Sequence, residues 1–502
     1  MKKRQIKKLL IANRGEIALR VIRACKELEI CSVSVFSDVD RKSLHVLQAD
    51  EAYALGGSTP QESYLNQAKI IEISRAASVD AIHPGYGFLA ENPDFADAVA
   101  AAGILFVGPS GDAIRLMGDK TQARKAARKL GIPTISGTVD PVKDVSEGLF
   151  HATDIGFPIL LKAAAGGGGK GMRVVRAAGE FEAALRMAQS EARGAFGDDR
   201  VYMEKYLESP RHIEMQILAD GYGNVIYLGE RECSIQRRHQ KVIEESPSTA
   251  VDEKLRRELG EAAVRLAKTA GYTNAGTMEF LLEPSGKFYF LEMNTRLQVE
   301  HPVTEEITGL DLVKQQIRVA EGERLSIRQE QLQFRGHAIE CRICAEDPEN
   351  SFMPSTGKLV RYRLPQGRIR VENGFQEGDE ISVYYDSLLA KVISWGETRR
   401  DAITAMKRAL TDFTIEGVKS TIPFCALVLN HSSFVEGNID TRFVDKHFDP
   451  SILSIVSANQ MLAAAVGAVL IGVRTKRQTE SGHNGLSPTS SGWKDSRRGG
   501  FR

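Results

Sequence analysis

Apolar residues recur along the first quarter of the chain in short blocks separated by longer helical patterns. "KKLLIA" (7–12), "CSVSVFSD" (31–38), "VDAIHPG" (79–85) and "ILFVGP" (104–109) read as strands, and "GEIALRVIRACKEL" (15–28) repeats its apolar positions at helical spacing. This alternation over residues 7–117 predicts a parallel, doubly wound, Rossmann-like sheet. From residue 206 the strands read as antiparallel: "RHIEMQILADGYGNVIYLGERECSIQRRHQKVIEESP" predicts a hairpin that turns at Asp220 and Gly221. The expected class is α/β at the N-terminus and α+β beyond it.

The pattern is most specific at "FLEMNTRLQVEH" (290–301). At a period of two it sets Glu292, Asn294, Arg296, Gln298 and Glu300 on one face, and Leu291, Met293, Leu297 and Val299 on the other. It reads as an amphipathic strand whose polar residues can all grip a cation or an oxyanion. In "TMEFLLEPSGKFYFLEMN" (277–294), a four-residue loop, Pro284 to Lys287, pairs Glu283 with Phe288 and, counting outward, Glu279 with Glu292. Carboxylates directly opposed across a sheet repel. A divalent cation with oxygen ligands would relieve them, and Asn294 can complete its shell. Glu292 and Glu300 would stand about 26 Å apart on a straight strand, so the chain is expected to bend after Asn294 or to serve two ligands in sequence.

Composition narrows the class without changing this reading. With 502 residues, 42% of them hydrophobic, the chain has room for about three domains. Its 66 Lys and Arg against 65 Asp and Glu give no bulk field for nucleic acid or an anionic membrane. The basic N-terminus runs straight into a strand and helix, so a cytoplasmic location is expected. Six cysteines make no disulfide framework, and Cys341 and Cys344, in "GHAIECRICAED", read as part of an apolar strand and not a zinc site.

Three further stretches carry candidate chemistry. "HPGYGFLAEN" (83–92) breaks the first rhythm at a strand's carboxyl end; it suits a ligand loop and a plain turn equally. "AAAGGGGKGM" offers loop amides from Gly166 to Gly171 that could cradle phosphates between two strands. It is no Walker loop, since Gly171 and Met172 follow Lys170, and "ANRGEI" has too few glycines for a dinucleotide site. A mobile flap is preferred to an idle hairpin tip because Lys120 and Lys162 supply further cations. Arg237, Arg238, His239 and Lys241 form a basic cluster on a strand pattern, suited to an anion as much as to solvent.

Taken together, "FLEMNTRLQVEH", "AGGGGKGM", "HPGYGFLAEN", "MGDK" and "EKYLESPRHIEMQ" closely resemble the biotin carboxylase component of biotin-dependent carboxylases, an ATP-grasp enzyme, over about residues 4–447. The resemblance implies a Rossmann-like domain (1–117), an ATP-grasp domain (118–333) with a glycine-rich lid at about 134–205, a mixed C-terminal domain (334–447) and an extension (448–502). The activity it implies is ATP-dependent carboxylation of biotin by bicarbonate through carboxyphosphate.

Residue by residue, it places Lys120, Lys162, Glu204, Lys205, Leu207, His212, Gln236 and His239 around ATP, with Gly166, Gly167, Gly168, Gly169 and Gly171 in the flap. Glu279, Glu292 and Asn294 match metal positions for Mg²⁺ or Mn²⁺. Lys241, Arg296, Gln298 and Val299 match the bicarbonate pocket, Glu300 the general base, and Arg342 the group facing the biotin ureido oxygen.

The biotin is expected on a carrier protein or domain. A carboxyltransferase subunit is the further partner expected, and a homodimer the assembly. "AMKR" (405–408) lies in the helical pattern "RRDAITAMKRALTDF", unlike a biotin-attachment hairpin. The competing reading is another carboxyphosphate-forming ligase, of the carbamoyl-phosphate synthase kind, although no internal repeat is visible. In the extension, "MLAAAVGAVLIGV" (461–473) is too short to span a bilayer. It is expected to be an apolar helix docked on this subunit or, preferably, used to hold a partner, ahead of a disordered 478–502.

Overall fold

The computed structural model describes residues 3–138, 140–163, 172–453 and 466. The glycine loop 166–171, the remainder of the apolar stretch 461–473 and the tail 478–502 lie outside the described residues.

Five parallel strands open the chain: β1 (Lys8–Ile11), β2 (Cys31–Phe36), β3 (Glu51–Ala54), β4 (Ala81–His83) and β5 (Leu105–Phe106), in the order β3-β2-β1-β4-β5. Alternate residues of β1 feed two cores: Leu9 and Ile11 pack with Ile17, Val21 and Ile22 of the helix Gly15–Glu27, while Leu10 packs with Val33, Val35 and Ile82. Both faces are covered, as the near-continuous apolar strands require.

The strand order reverses between β1 and β4, the point at which open α/β sheets bind ligands. "HPGYGF" follows β4 at that point. Asn13, just past β1, donates to the Pro84 and Tyr86 carbonyls, both at 2.7 Å. A side chain at Gly85 would stand 2.8 Å from the Asn13 amide, and Gly85 has φ +64°, so this turn needs glycine.

A separate three-stranded sheet, β7-β6-β8, is built from β6 (Ile159–Ala163), β7 (Met172–Val175) and β8 (Val201–Lys205). It packs on the helix Phe181–Phe196 through Phe181, Leu185 and Ala188.

An eight-stranded antiparallel sheet contains β9 (Arg211–Ala219), β10 (Val225–Arg237), β11 (Gln240–Ser246), β12 (Asn274–Leu282), β13 (Phe288–Asn294), β14 (His337–Cys344) and the strands Leu388–Gly396 and Ile369–Asn373. The order runs β13-β12-β9-β10-β11-β14, then Leu388–Gly396, then Ile369–Asn373. The sheet therefore crosses residue 334 without a break, and residues up to Phe448 form one compact unit. "AMKR" lies in the helix Arg399–Asp412, and no described helix is long and apolar enough to cross a membrane.

One hairpin follows the sequence expectation, and three local details depart from it: a turn in the basic cluster, a shorter loop and a bulge. The β9–β10 hairpin turns where expected, with the Asp220 carboxylate accepting the Tyr222 and Asn224 amides. The basic cluster, however, is not all strand. Arg238 and His239 form a two-residue turn with φ 47° and 66°, the left-handed pair a tight hairpin requires.

In the β12–β13 hairpin, Leu282 pairs with Phe288 and the Glu283 amide donates to the Lys287 carbonyl, so the loop is one residue shorter than expected. A bulge at Leu291 then adds a residue, and Glu279 still faces Glu292. The strand ends at Asn294, and residues 295–300 leave the sheet before the helix His301–Thr308.

Candidate active site

The adjacent strands align a row of charge: Glu292 faces Glu279 across β13 and β12, Glu279 faces Glu214 on β9, and Glu214 faces Arg231 on β10. Three carboxylates abreast would destabilise the sheet, and cations surround them. Lys120 Nζ lies 2.8 Å from Glu292. Lys241 contacts Glu214, Glu279 at 3.1 Å and Glu300 at 2.8 Å. His212 Nε2 lies 3.0 Å from Glu279, and Gln236 meets the other ring nitrogen at 2.7 Å. Arg231 is fully buried, donating to Glu214 at 2.9 Å and to Gln216, Thr277 and Thr304.

The buried members of this row shift one another in both directions. Burial would raise the Glu279 carboxyl, but Lys241 and His212 outweigh it and hold it well below the usual carboxylate range. Glu300 is also fully buried; Lys241 at 2.8 Å and Arg342 Nη2 at 2.9 Å outweigh desolvation and hold it well below its ordinary value. Glu214 moves the other way, raised by burial and by the Glu300 charge. Glu244, buried and bound by Arg342, is pushed up to about 7, chiefly by desolvation.

A cavity of about 730 Å³ opens in front of this row. Lys120, Lys162, Glu204, Lys205, Leu207, His212, Gln236, His239, Lys241, Glu279, Glu292, Asn294, Arg296, Gln298, Val299 and Arg342 all line it, and Glu300 lies buried against Lys241 and Arg342. Lys162 pairs with Glu204, while the Lys205 ammonium is directed to the carbonyls of Gly156 and Phe157 at 2.9 and 3.0 Å. Leu291 lines the same cavity as Glu292, because the bulge turns two consecutive residues to one face where simple alternation puts them on opposite faces. Arg296 is fastened by Glu91 at 2.8 Å, Gln298 at 2.7 Å and Asn294 at 3.1 Å.

Sequence reasoning missed Glu91, Arg124, Glu214 and Arg231. Glu91 lies in "HPGYGFLAEN" and reaches both Arg296 and the Thr295 amide. Arg124 joins Lys162 on Glu204. Glu214 had a visible signal: His212, Glu214 and Gln216 alternate on a strand with both faces buried.

Hard oxygen donors at Glu279, Glu292 and Asn294 suit a magnesium-sized cation. Lys120, Lys241 and the His212 ring already lie within 3.1 Å of these carboxylates, so a divalent ion would meet a ready negative site. Among the described residues, the flap glycines apart, every expected site position meets in this one region.

Three family models cover the chain: "Biotin carboxylase, N-terminal domain" over residues 5–114, "Carbamoyl-phosphate synthase L chain, ATP binding domain" over 119–328, and "Biotin carboxylase C-terminal domain" over 340–446. The central match alone would leave the synthase reading open; the flanking matches decide against it. Biotin carboxylase 1 of Bacillus subtilis is 52% identical over 444 residues, 88% of this chain and 99% of the relative. The biotin carboxylase of a Nostoc species is 53% identical over 440 residues, 88% of this chain and 98% of the relative. The biotin carboxylase domain dimer of Hydrogenobacter thermophilus 2-oxoglutarate carboxylase, solved with MgADP, ADP and bicarbonate, superposes with a TM-score of 0.85 at 49% identity, over 88% of this chain and 98% of that one. The chain belongs to the biotin carboxylase family.

Proposed function

We propose that this ATP-dependent biotin carboxylase works through two adjoining groups: Lys120, Lys162, Glu204, Glu279, Glu292 and Asn294 for the nucleotide and metal, and Lys241, Arg296, Gln298, Val299, Glu300 and Arg342 for bicarbonate and biotin. The observation that carries the reading is the Glu300 carboxylate, buried between Lys241 at 2.8 Å and Arg342 at 2.9 Å beside the opposed pair Glu279 and Glu292. Lys205, Leu207, His212, Gln236 and His239 complete the nucleotide wall, and the loop Gly166 to Gly171 is assigned to cover the phosphates.

Mg²⁺, held by Glu279, Glu292 and Asn294, would neutralise phosphate charge during transfer. The protein's own groups do the rest. Lys241 and Arg296 bind the bicarbonate anion, whose charge competes with Glu300 for the Lys241 ammonium that Glu214, Glu279 and Glu300 share. The carboxylate held far below its usual range thereby becomes more basic as substrate arrives, and it takes the bicarbonate proton. The freed oxygen attacks the γ-phosphate of ATP, giving carboxyphosphate and ADP.

Carboxyphosphate breaks down to carbon dioxide and phosphate next to biotin. The released phosphate takes the ureido N–H proton, the nitrogen attacks the carbon dioxide to give carboxybiotin, and Arg342 stabilises the enolate-like ureido oxygen. Arg342 is bound to both Glu244 and Glu300, so it couples the biotin step to the state of the base.

The family works within biotin-dependent carboxylases that also have carrier and carboxyltransferase components. For this chain we assign the biotin to a carrier protein or domain, the next step to a carboxyltransferase subunit, the assembly to a homodimer and the location to the cytoplasm. Supporting the first is the helical setting of "AMKR". The domain division 1–117, 118–333, 334–447 and 448–502 is likewise our reading.

The test is ADP release with ATP, radiolabelled bicarbonate and free biotin. Bicarbonate-dependent ADP release with label in acid-labile carboxybiotin is expected, and Glu300→Gln should abolish both. Label transfer undiminished in Glu300→Gln would overturn the assignment.

A further inference from the structure

Behind the bicarbonate corner lies a charged residue that the mechanism above does not use. Lys391 is the one charge in the strand Leu388–Gly396, "LLAKVISWG", and its side chain is wholly buried. Burying an ammonium costs several kcal/mol unless it is paired and hydrogen-bonded, so its contacts are informative.

Nζ donates to the Val299 carbonyl at 2.7 Å and lies 3.0 Å from Glu16 Oε1. Glu16 comes from the helix Gly15–Glu27 and also accepts the Tyr86 hydroxyl, from the "HPGYGF" loop. The Tyr86 ring faces the ammonium at 5.8 Å. One buried cation thus ties the strand Leu388–Gly396, the N-terminal helix and the segment just before Glu300.

Its register is equally telling. Lys391 stands directly opposite Arg342 on β14, and like charges so placed repel. Each is held by its own acceptor: Arg342 reaches the Glu300 carboxylate through its side chain, and Lys391 reaches the same residue through the peptide before it.

We propose that Lys391 is a positioning residue for the bicarbonate step, fixing the Val299–Glu300 peptide by its charge-assisted bond to the Val299 carbonyl. The peptide plane that carries this carbonyl also carries the Glu300 amide, so holding it sets the direction in which the Glu300 side chain leaves the backbone. A displacement of about 1 Å at a reacting group can cost on the order of a hundredfold in rate. Burial raises both the Glu340 and the Glu16 carboxyls, the Lys391 ammonium opposing it in each; Glu16 makes the direct contact at 3.0 Å, while Glu372 faces Lys391 from the strand Ile369–Asn373. The inference rests on the assignment of Val299 and Glu300 to bicarbonate.

Lys391→Met alone would strand a buried Glu16, so the test is the double variant Lys391→Met with Glu16→Gln, which removes both charges together. In full-length enzyme, bicarbonate-dependent turnover should fall about tenfold or more with a raised KM for bicarbonate, while the KM for MgATP and the Tm stay near the parent values. Turnover and both KM values within twofold of the parent would overturn the proposal. So would a parallel rise of both KM values with a lowered Tm, the mark of a scaffold role. Glu300→Gln run alongside separates the two assignments. If it keeps turnover, the assignment of Glu300 falls; if only the double variant keeps turnover, the role of Lys391 alone falls.

Discussion

Glu279 and Glu292 face each other across β12 and β13, and the bulge at Leu291 puts them there. The same bulge turns Leu291 into the cavity beside Glu292, so apolar and acidic surface meet at one point. A nucleotide needs both, an apolar wall for its base and a metal near its phosphates.

Replacing Glu292 by Gln keeps size and packing but removes a carboxylate from the metal position. MgATP turnover should fall about a hundredfold, on the order of 3 kcal/mol of transition-state stabilisation. Initial rates at limiting Mg²⁺ check this, and an unchanged rate would separate Glu292 from the metal. The Lys120 contact is released in the same variant, so thermal stability should barely move.

Arg342→Ser should divide the two half-steps. Biotin carboxylation should fall far more than bicarbonate-dependent ATP hydrolysis, because Arg342 is assigned to the ureido oxygen. Equal losses in the two assays, run on one preparation, would move Arg342 to the phosphate step.

Much of this arrangement is legible in the residues, though not always for the expected reason. The count from the hairpin loop reached the Glu279–Glu292 pair through two compensating departures, a loop one residue shorter and a bulge one residue longer. Bulges leave no reliable mark in hydrophobic alternation, so Leu291 was placed on the wrong face. The bend after Asn294 followed from distance alone: about 26 Å of straight strand could not serve one small ligand. Arg231 was harder to find, because its meaning depends on pairing with Glu214 across a bulged β9–β10 ladder. Lys391 was visible as a lone charge in an apolar strand, but the groups it joins are 375 and 92 residues away in sequence.

Arg231 and Glu214 are both fully inaccessible, so removing one strands the other. Arg231→Met should lower stability by about 3–5 kcal/mol, the usual cost of breaking a buried pair. Urea unfolding of Arg231→Met, and of Arg231→Met with Glu214→Gln, checks this. The double variant should recover much of the loss, since no unpaired charge is left in the core. A single variant as stable as the parent would mean that Lys241 alone satisfies Glu214.

Acid should loosen the N-terminal domain before it reaches the carboxylates. His83, at the end of β4, is fully buried; desolvation holds its pKa down to about 4, from an ordinary 6.5. Its Nδ1 accepts the Gly85 amide at 3.0 Å and its Nε2 lies 3.2 Å from the Gln316 side-chain oxygen, which sets the neutral ring with the proton on Nε2. Protonating Nδ1 would remove the acceptor that shapes the "HPGYGF" turn. His45, also fully buried, is held down to about 4 in the same way. The unfolded chain binds these protons near pH 6.5 and the folded chain only near pH 4, so their stabilising contribution is full above pH 6.5 and is lost as pH falls towards 4. At pH 5 each should contribute about 2 kcal/mol less than at pH 7. Urea midpoints at the two pH values should differ accordingly, and His83→Gln should shrink that difference, leaving the shares of His45 and of His301, which is also fully buried and held well below 6.5 by desolvation. An unchanged pH slope in His83→Gln would show that the folded protein accommodates the charged ring at pH 5, or that other groups set the acid limb.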